Sequence, residues 1–104
     1  MPVQAPKTKE KPAARPAEET KVPPRYKVLL HNDHYTTMDF VVMVLQQVFG
    51  KPLEDAVRIM LAVHREDLGV AGVYPAEIAE TKVDTVHRMA REHEFPLRCS
   101  MEPE

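Results

Sequence analysis

Tyr26-Lys27-Val28-Leu29-Leu30-His31-Asn32-Asp33-His34-Tyr35-Thr36-Thr37-Met38-Asp39-Phe40-Val41 is the stretch that decides the fold of this chain. Val28, Leu29 and Leu30 form a short apolar run with a β-favouring start. Pro23-Pro24 blocks any helix before it, so residues 26–31 read as a strand. Thr36 or Thr37 can cap the next helix, with Asp39 in its first turn near the positive end of the helix dipole, and Gly50 is a natural stop. Between that strand and a helix over 38–49, residues 31–38 set several hydrogen-bonding groups on one short connection. Polar groups on a loop held between rigid elements are more often functional than polar groups spread over a surface.

Outward from this stretch, Phe40, Val41, Val44, Leu45, Val48 and Phe49 recur at three- and four-residue spacing and give one wide apolar face. Pro52 suits the first position of a second helix, in which Leu53, Ala56, Val57, Met60, Leu61 and His64 repeat on one stripe to about residue 65. His64 is thus expected along an apolar face. Gly69 to Tyr74 reads as a short strand. Pro75 then opens a third helix with the stripe Ile78, Ala79, Val83, Val86, Met89 and Ala90, ending near His93 or Glu94, before Pro96. Leu97 to Met101 alternates and reads as a last strand. The order β-α-α-β-α-β predicts a two-layer α+β domain, three helices packed on a three-stranded antiparallel sheet.

Composition divides the chain near residue 25. The first 24 residues hold six of the ten prolines and no Leu, Ile, Phe, Tyr or Trp. Such a stretch cannot bury enough apolar surface to offset its ordering entropy, so residues 1–25 are expected to be a disordered N-terminal extension and 26–104 the core domain. Charge divides the same way: residues 1–25 carry net +3 and the body net −5. A mildly acidic body argues against a groove that tracks a phosphate backbone, so no nucleic-acid partner is expected. The single cysteine, Cys99, excludes an internal disulfide framework and a multi-cysteine zinc site, and it reads as a small buried hydrophobe in a reducing compartment. No apolar run suits a signal peptide or a membrane span, which makes a cytoplasmic monomer the expectation.

Three chemistries compete for the polar loop. Nucleophilic catalysis needs a Ser, Cys or Thr beside an oriented base, and Thr36, Ser100 and Cys99 sit in no recognisable elbow. Metal binding has five histidines to draw on (His31, His34, His64, His87 and His93), but neither a His-Glu-x-x-His run nor another ligand spacing. The third chemistry is recognition of a cation. A free α-amino group is mostly ammonium at neutral pH and presents three donors. The amide oxygen of Asn32, a carboxylate such as Asp33 and a neutral imidazole such as His64 are suitable acceptors. Met38, Val41, Met60 and Val63 suit an adjacent apolar pocket. The plainer alternative makes Met60 and His64 core residues of the second helix.

The opening stretch resembles the ClpS family, adaptors of the ATP-dependent Clp protease. Met60-Leu61-Ala62-Val63-His64, Gly72-Val73-Tyr74, Ala76-Glu77-Ile78-Ala79-Glu80-Thr81-Lys82-Val83 and Pro96-Leu97 look like the family's later signatures in order and spacing, so the resemblance covers residues 26 to about 101. It implies a protein without catalytic activity or cofactor. Such an adaptor binds N-degron substrates with a free N-terminal Leu, Phe, Tyr or Trp and delivers them to the ClpA unfoldase of the ClpAP protease.

By resemblance, Asn32, Asp33, His34 and His64 would hold the α-amine, and Thr36, Met38, Val41, Met60, Val63 and Leu97 would form the side-chain pocket, with Met38 as a gate against β-branched residues. Glu77 and Lys82 match positions that face the N-terminal domain of the ClpA-type AAA+ unfoldase, and the tail would engage and modulate it. Many members carry two consecutive acids after the asparagine, whereas here Asp33 is followed by His34. With histidines at both His34 and His64, peptide affinity is expected to fall between about pH 7 and 5.5. A different class remains open from the residues alone: a generic interaction domain similar to the ribosomal stalk C-terminal domain, without an amino-acid pocket. Likeness of fold does not separate the two.

Overall fold

The computed structural model describes residues 23–104. Of the expected extension, residues 1–22 lie outside the described residues, and Arg25 already opens the first strand. The elements follow in the order β1 (Arg25–His31), α1 (Met38–Gln47), α2 (Leu53–Glu66), β2 (Leu68–Pro75), α3 (Ala76–Glu92) and β3 (Arg98–Pro103). β1 is central in an antiparallel sheet of order β2-β1-β3, and the expected two-layer α+β architecture is the one observed.

The core explains the layering. Val28 and Leu30 of β1 are fully buried in one apolar cluster with Phe40, Val41, Val44 and Leu45 of α1, Ala56, Ile59 and Val63 of α2, and Ala79, Val86 and Ala90 of α3. Leu29 is buried but stands outside that cluster, as strand alternation requires, paired with Val70 on β2 and Ser100 on β3. Each large side chain so buried contributes about 1.5–3 kcal/mol. α3 packs across all three strands, while α2 bridges α1 and β2. The β1–β2 register shifts between Val28 and Leu29: Val28 pairs with Gly72 and Leu29 with Val70, so Ala71 is the extra residue of a bulge.

Local chemistry sets the ends of the helices. Thr37 caps α1, its hydroxyl accepting from Phe40 N–H at 3.1 Å, which decides between the two threonines. α1 stops three residues before Gly50, whose positive φ of 64° lets Lys51 N–H turn back to Leu45 O at 3.0 Å. Pro52 and Pro75 stand at the N-cap positions, one residue outside the expected first turn. α2 and α3 end on left-handed residues that are not glycine, Asp67 (φ 68°) and Glu94 (φ 62°), with Phe95 N–H closing α3 onto Ala90 O at 2.8 Å. Lys82 of α3 reaches back to α1, its ammonium donating to Val48 O at 2.7 Å and lying 5.4 Å from the centre of the Tyr74 ring.

Candidate functional site

Three elements meet where β1 ends. The chain leaves β1 at His31 and crosses to Met38, the first residue of α1, while the last turn of α2 brings His64 to the same place. Between them lies a pocket of about 370 Å³, in the range of small-molecule sites, lined by Asn32, Asp33, His34, Thr36, Met38, Val41, Met60, Val63 and His64. Its walls differ in chemistry. Val41 and Val63 are buried and form an apolar floor, Met60 is half-buried, and Met38 stands at the mouth, 43% exposed. Two thioether side chains give this pocket adaptable walls.

The polar wall is built on hydrogen bonds. Asn32 N–H donates to Asp67 O at 3.1 Å, which ties the end of β1 to the end of α2. Its side-chain NH2 donates at longer range to His64 O (3.5 Å) and to Asp67 Oδ1 (3.4 Å). With the nitrogen spent on two oxygens, the amide oxygen is left as the acceptor of that side chain. The imidazole of His64 lies exposed in the same pocket. α2 ends here, so the negative pole of its dipole lies beside His64 and favours a cation. α1 starts at the same pocket, but Asp39 in its first turn and the Thr37 cap offset its positive pole.

Asp33 lines the pocket and also holds the loop together. Its carboxylate accepts from Tyr35 N–H at 2.8 Å, from Thr36 N–H at 2.7 Å and from the Thr36 hydroxyl at 2.7 Å. Burial alone would raise its titration; the two Thr36 bonds, the Tyr35 bond and the neighbouring His34 outweigh that and hold it below the usual carboxylate range. Most of its acceptor capacity therefore shapes the loop. Thr36 serves the loop through those same bonds.

Of the residues singled out in sequence, nine converge on this pocket. Leu97 does not line it: it is 4% exposed and belongs to the core cluster. Glu77 stands exposed at the start of α3, in a second hollow with Pro23, Pro24, Tyr26, Pro75, Ala76 and Ile78 that shares no residue with the first. Lys82 is half-buried and committed to Val48 O. Cys99 is buried in the core, with its thiol pushed up to about 12 by desolvation, and its N–H donates to His87 Nε2 at 3.0 Å. Sequence reasoning missed Asp67. No periodicity marks it, because it lies beyond the stripe of α2, and its bonds to Asn32 cross 35 residues of chain.

Comparison with known proteins places the chain in a family. Residues 21–100 match the family model described as ATP-dependent Clp protease adaptor protein ClpS. Relatives named ATP-dependent Clp protease adapter protein ClpS include that of Desulfatibacillum aliphaticivorans, 63% identical over 86% of this chain and 86% of the relative. That of Desulforapulum autotrophicum is 49% identical over the whole of both. Among solved structures, Agrobacterium tumefaciens ClpS2 bound to L-phenylalaninamide superposes with a TM-score of 0.77 at 40% identity, covering 80% of this chain and 100% of that one. The chain belongs to the ClpS family of ATP-dependent Clp protease adaptor proteins.

Proposed function

We propose that this protein is an adaptor that binds the free N-terminal residue of N-degron substrates, Leu, Phe, Tyr or Trp, and hands those substrates to a ClpA-type unfoldase. One observation carries the reading: a single pocket sets an amide oxygen and an imidazole, at the negative end of α2, against an apolar floor with methionine walls. An ammonium next to an apolar side chain is the ligand that satisfies both walls. L-Phenylalaninamide, the ligand of the Agrobacterium relative, has this composition, with a free α-amine beside an aromatic side chain. Asn32 and His64 take the amine, with Asp33 holding the loop and His34 at its edge. Met38, Val41, Met60 and Val63 take the side chain.

Magnitudes require both halves. Burying a Leu or Phe side chain yields about 1.5–3 kcal/mol, whereas micromolar affinity needs about 8 kcal/mol. Hydrogen bonds to a charged amine contribute roughly 1.5–3 kcal/mol each, which supplies much of the difference. The adaptor itself needs no catalytic group. Glu77, exposed on α3, belongs to the surface offered to the unfoldase's N-terminal domain.

The test is a panel of fluorescent peptides differing only in the first residue, each with a free and an acetylated amine. Free Leu, Phe, Tyr and Trp peptides bind, Ile and Val peptides bind weakly, and acetylation abolishes binding. An acetylated Leu peptide that binds as well as the free one would show that the amine is not the determinant. Pull-down with the N-terminal domain of a ClpA-type unfoldase tests the delivery half separately.

A further inference from the structure

Asp67 occupies a left-handed conformation (φ 68°, ψ −2°) that non-glycine residues rarely adopt, and it does so immediately after α2. A glycine would sit there without strain. The aspartate side chain, however, makes a contact that glycine lacks: its Oδ1 lies 3.4 Å from Asn32 Nδ2, while its backbone carbonyl accepts Asn32 N–H at 3.1 Å. His64 O is a second oxygen facing the same nitrogen, at 3.5 Å. The reverse amide orientation would set the Asn32 oxygen against both of these oxygens. With the His64 carbonyl alone, one long contact would select the orientation. The carboxylate adds a charged acceptor, and hydrogen bonds to charged acceptors are the stronger kind.

Resting on the ligand reading above, we propose that Asp67 is a positioning residue for amine recognition: it fixes the Asn32 amide with its oxygen turned to the pocket beside His64. A pre-oriented acceptor loses less rotamer freedom when the ligand arrives, so affinity gains without any direct contact between Asp67 and the ligand. Asp67 has no place in the pocket lining, in keeping with action through Asn32.

Asp67→Gly keeps the left-handed backbone and removes the acceptor, whereas Asp67→Asn keeps both an acceptor oxygen and a side chain tolerant of that backbone. The expected result is at least a threefold loss of affinity for a free-amine Leu peptide in Asp67→Gly, with no fall in melting temperature, and recovery to within twofold in Asp67→Asn. In NMR spectra without peptide, the Asn32 side-chain NH2 signals should be dispersed and ordered in the parent and in Asp67→Asn, and averaged in Asp67→Gly. Unchanged affinity in Asp67→Gly, or equal losses in both variants, overturns the proposal. A parent that fails to bind any free-amine peptide overturns the ligand reading instead. In that case unaltered Asn32 NH2 signals in Asp67→Gly still overturn the orienting role of Asp67, and averaged ones show only that Asp67 orients the Asn32 amide, with amine recognition overturned.

Discussion

Thr36 donates both its backbone N–H and its hydroxyl to the carboxylate of Asp33, each at 2.7 Å, and so closes the β1–α1 connection on itself. A loop held this way presents Asn32 on one side and Met38 on the other at fixed separation, although neither belongs to the turn. Asp33→Ala would leave the N–H groups of Tyr35 and Thr36 without their acceptor. It should lower stability by about 1 kcal/mol, because the loop is partly solvated, and weaken Leu-peptide binding by roughly tenfold. Thr36→Val, which removes only the hydroxyl, should fall between. Thermal melts and peptide titrations on the two variants measure both effects, and full affinity in Asp33→Ala would mean that the turn is not needed for the pocket.

Acid should destabilise the protein in two steps. His31 on β1 bonds the Ser100 hydroxyl at 2.6 Å; burial first, and the charge of Arg98 second, push its titration below the ordinary 6.5. Its folded form therefore disfavours the imidazolium. The stability this confers is fully present above pH 6.5 and is lost as pH falls through the depressed folded value. Asp33 has the same sign at lower pH: its contribution is present above 3.8 and is lost below it. Melting temperature should thus decline below pH 6.5 and again below 3.8. His31→Gln should flatten the first decline and Asp33→Asn the second. A parental slope retained in both variants would assign the acid loss to other groups.

The architecture was legible because each element carried a local signal. Thr37 and Gly50 bounded α1, the prolines at 52 and 75 opened α2 and α3, and the apolar run Val28-Leu29-Leu30 marked β1. The pocket was partly legible, since polar types on a loop and methionine and histidine on a helical stripe suggested an amine and a side chain. What sequence could not show was how much of each acceptor the loop itself uses. Asp33 looks like a ligand carboxylate by type, yet its partners at positions 35 and 36 take most of its capacity. Asp67 joins Asn32 only through folding, because a strand end and a helix end far apart in sequence meet by tertiary packing and not by period. Lys82 is the same case in reverse: a lysine expected, by resemblance, to face a partner is drawn inward by the Val48 carbonyl at the end of α1.

Cys99 should resist thiol reagents in the native protein. The thiolate is the reactive species, and burial in the core lifts this thiol to about 12, so little thiolate exists near neutrality. Its strand is also locked to α3, with Cys99 N–H donating to His87 Nε2 and so leaving the imidazole proton on Nδ1. Labelling with a maleimide or a disulfide reagent at pH 8 should be slow in buffer and complete in denaturant, with a rate that tracks unfolding. Rapid native labelling would show that β3 opens locally, and His87→Ala should then speed it further.

Glu77 and Lys82 lie on one helix but predict opposite phenotypes. Lys82 donates to Val48 O at 2.7 Å and meets the negative end of α1, with the Tyr74 ring 5.4 Å away, so the charge is spent inside the fold. Lys82→Met keeps most of the aliphatic stem and deletes the ammonium; it should cost about 1–2 kcal/mol of stability. Glu77 has no such partner among the described side-chain hydrogen bonds, and Glu77→Ala should shift stability by less than about 0.5 kcal/mol. If Glu77 meets the unfoldase, its alanine variant weakens binding to the unfoldase's N-terminal domain while its melting curve stays at the parental position. Any binding defect of Lys82→Met should instead shrink as temperature is lowered and the fold is secured. Measuring binding at two temperatures beside each variant's melting curve separates the two, and a temperature-independent defect in fully folded Lys82→Met would mean that the ammonium leaves Val48 to meet the partner.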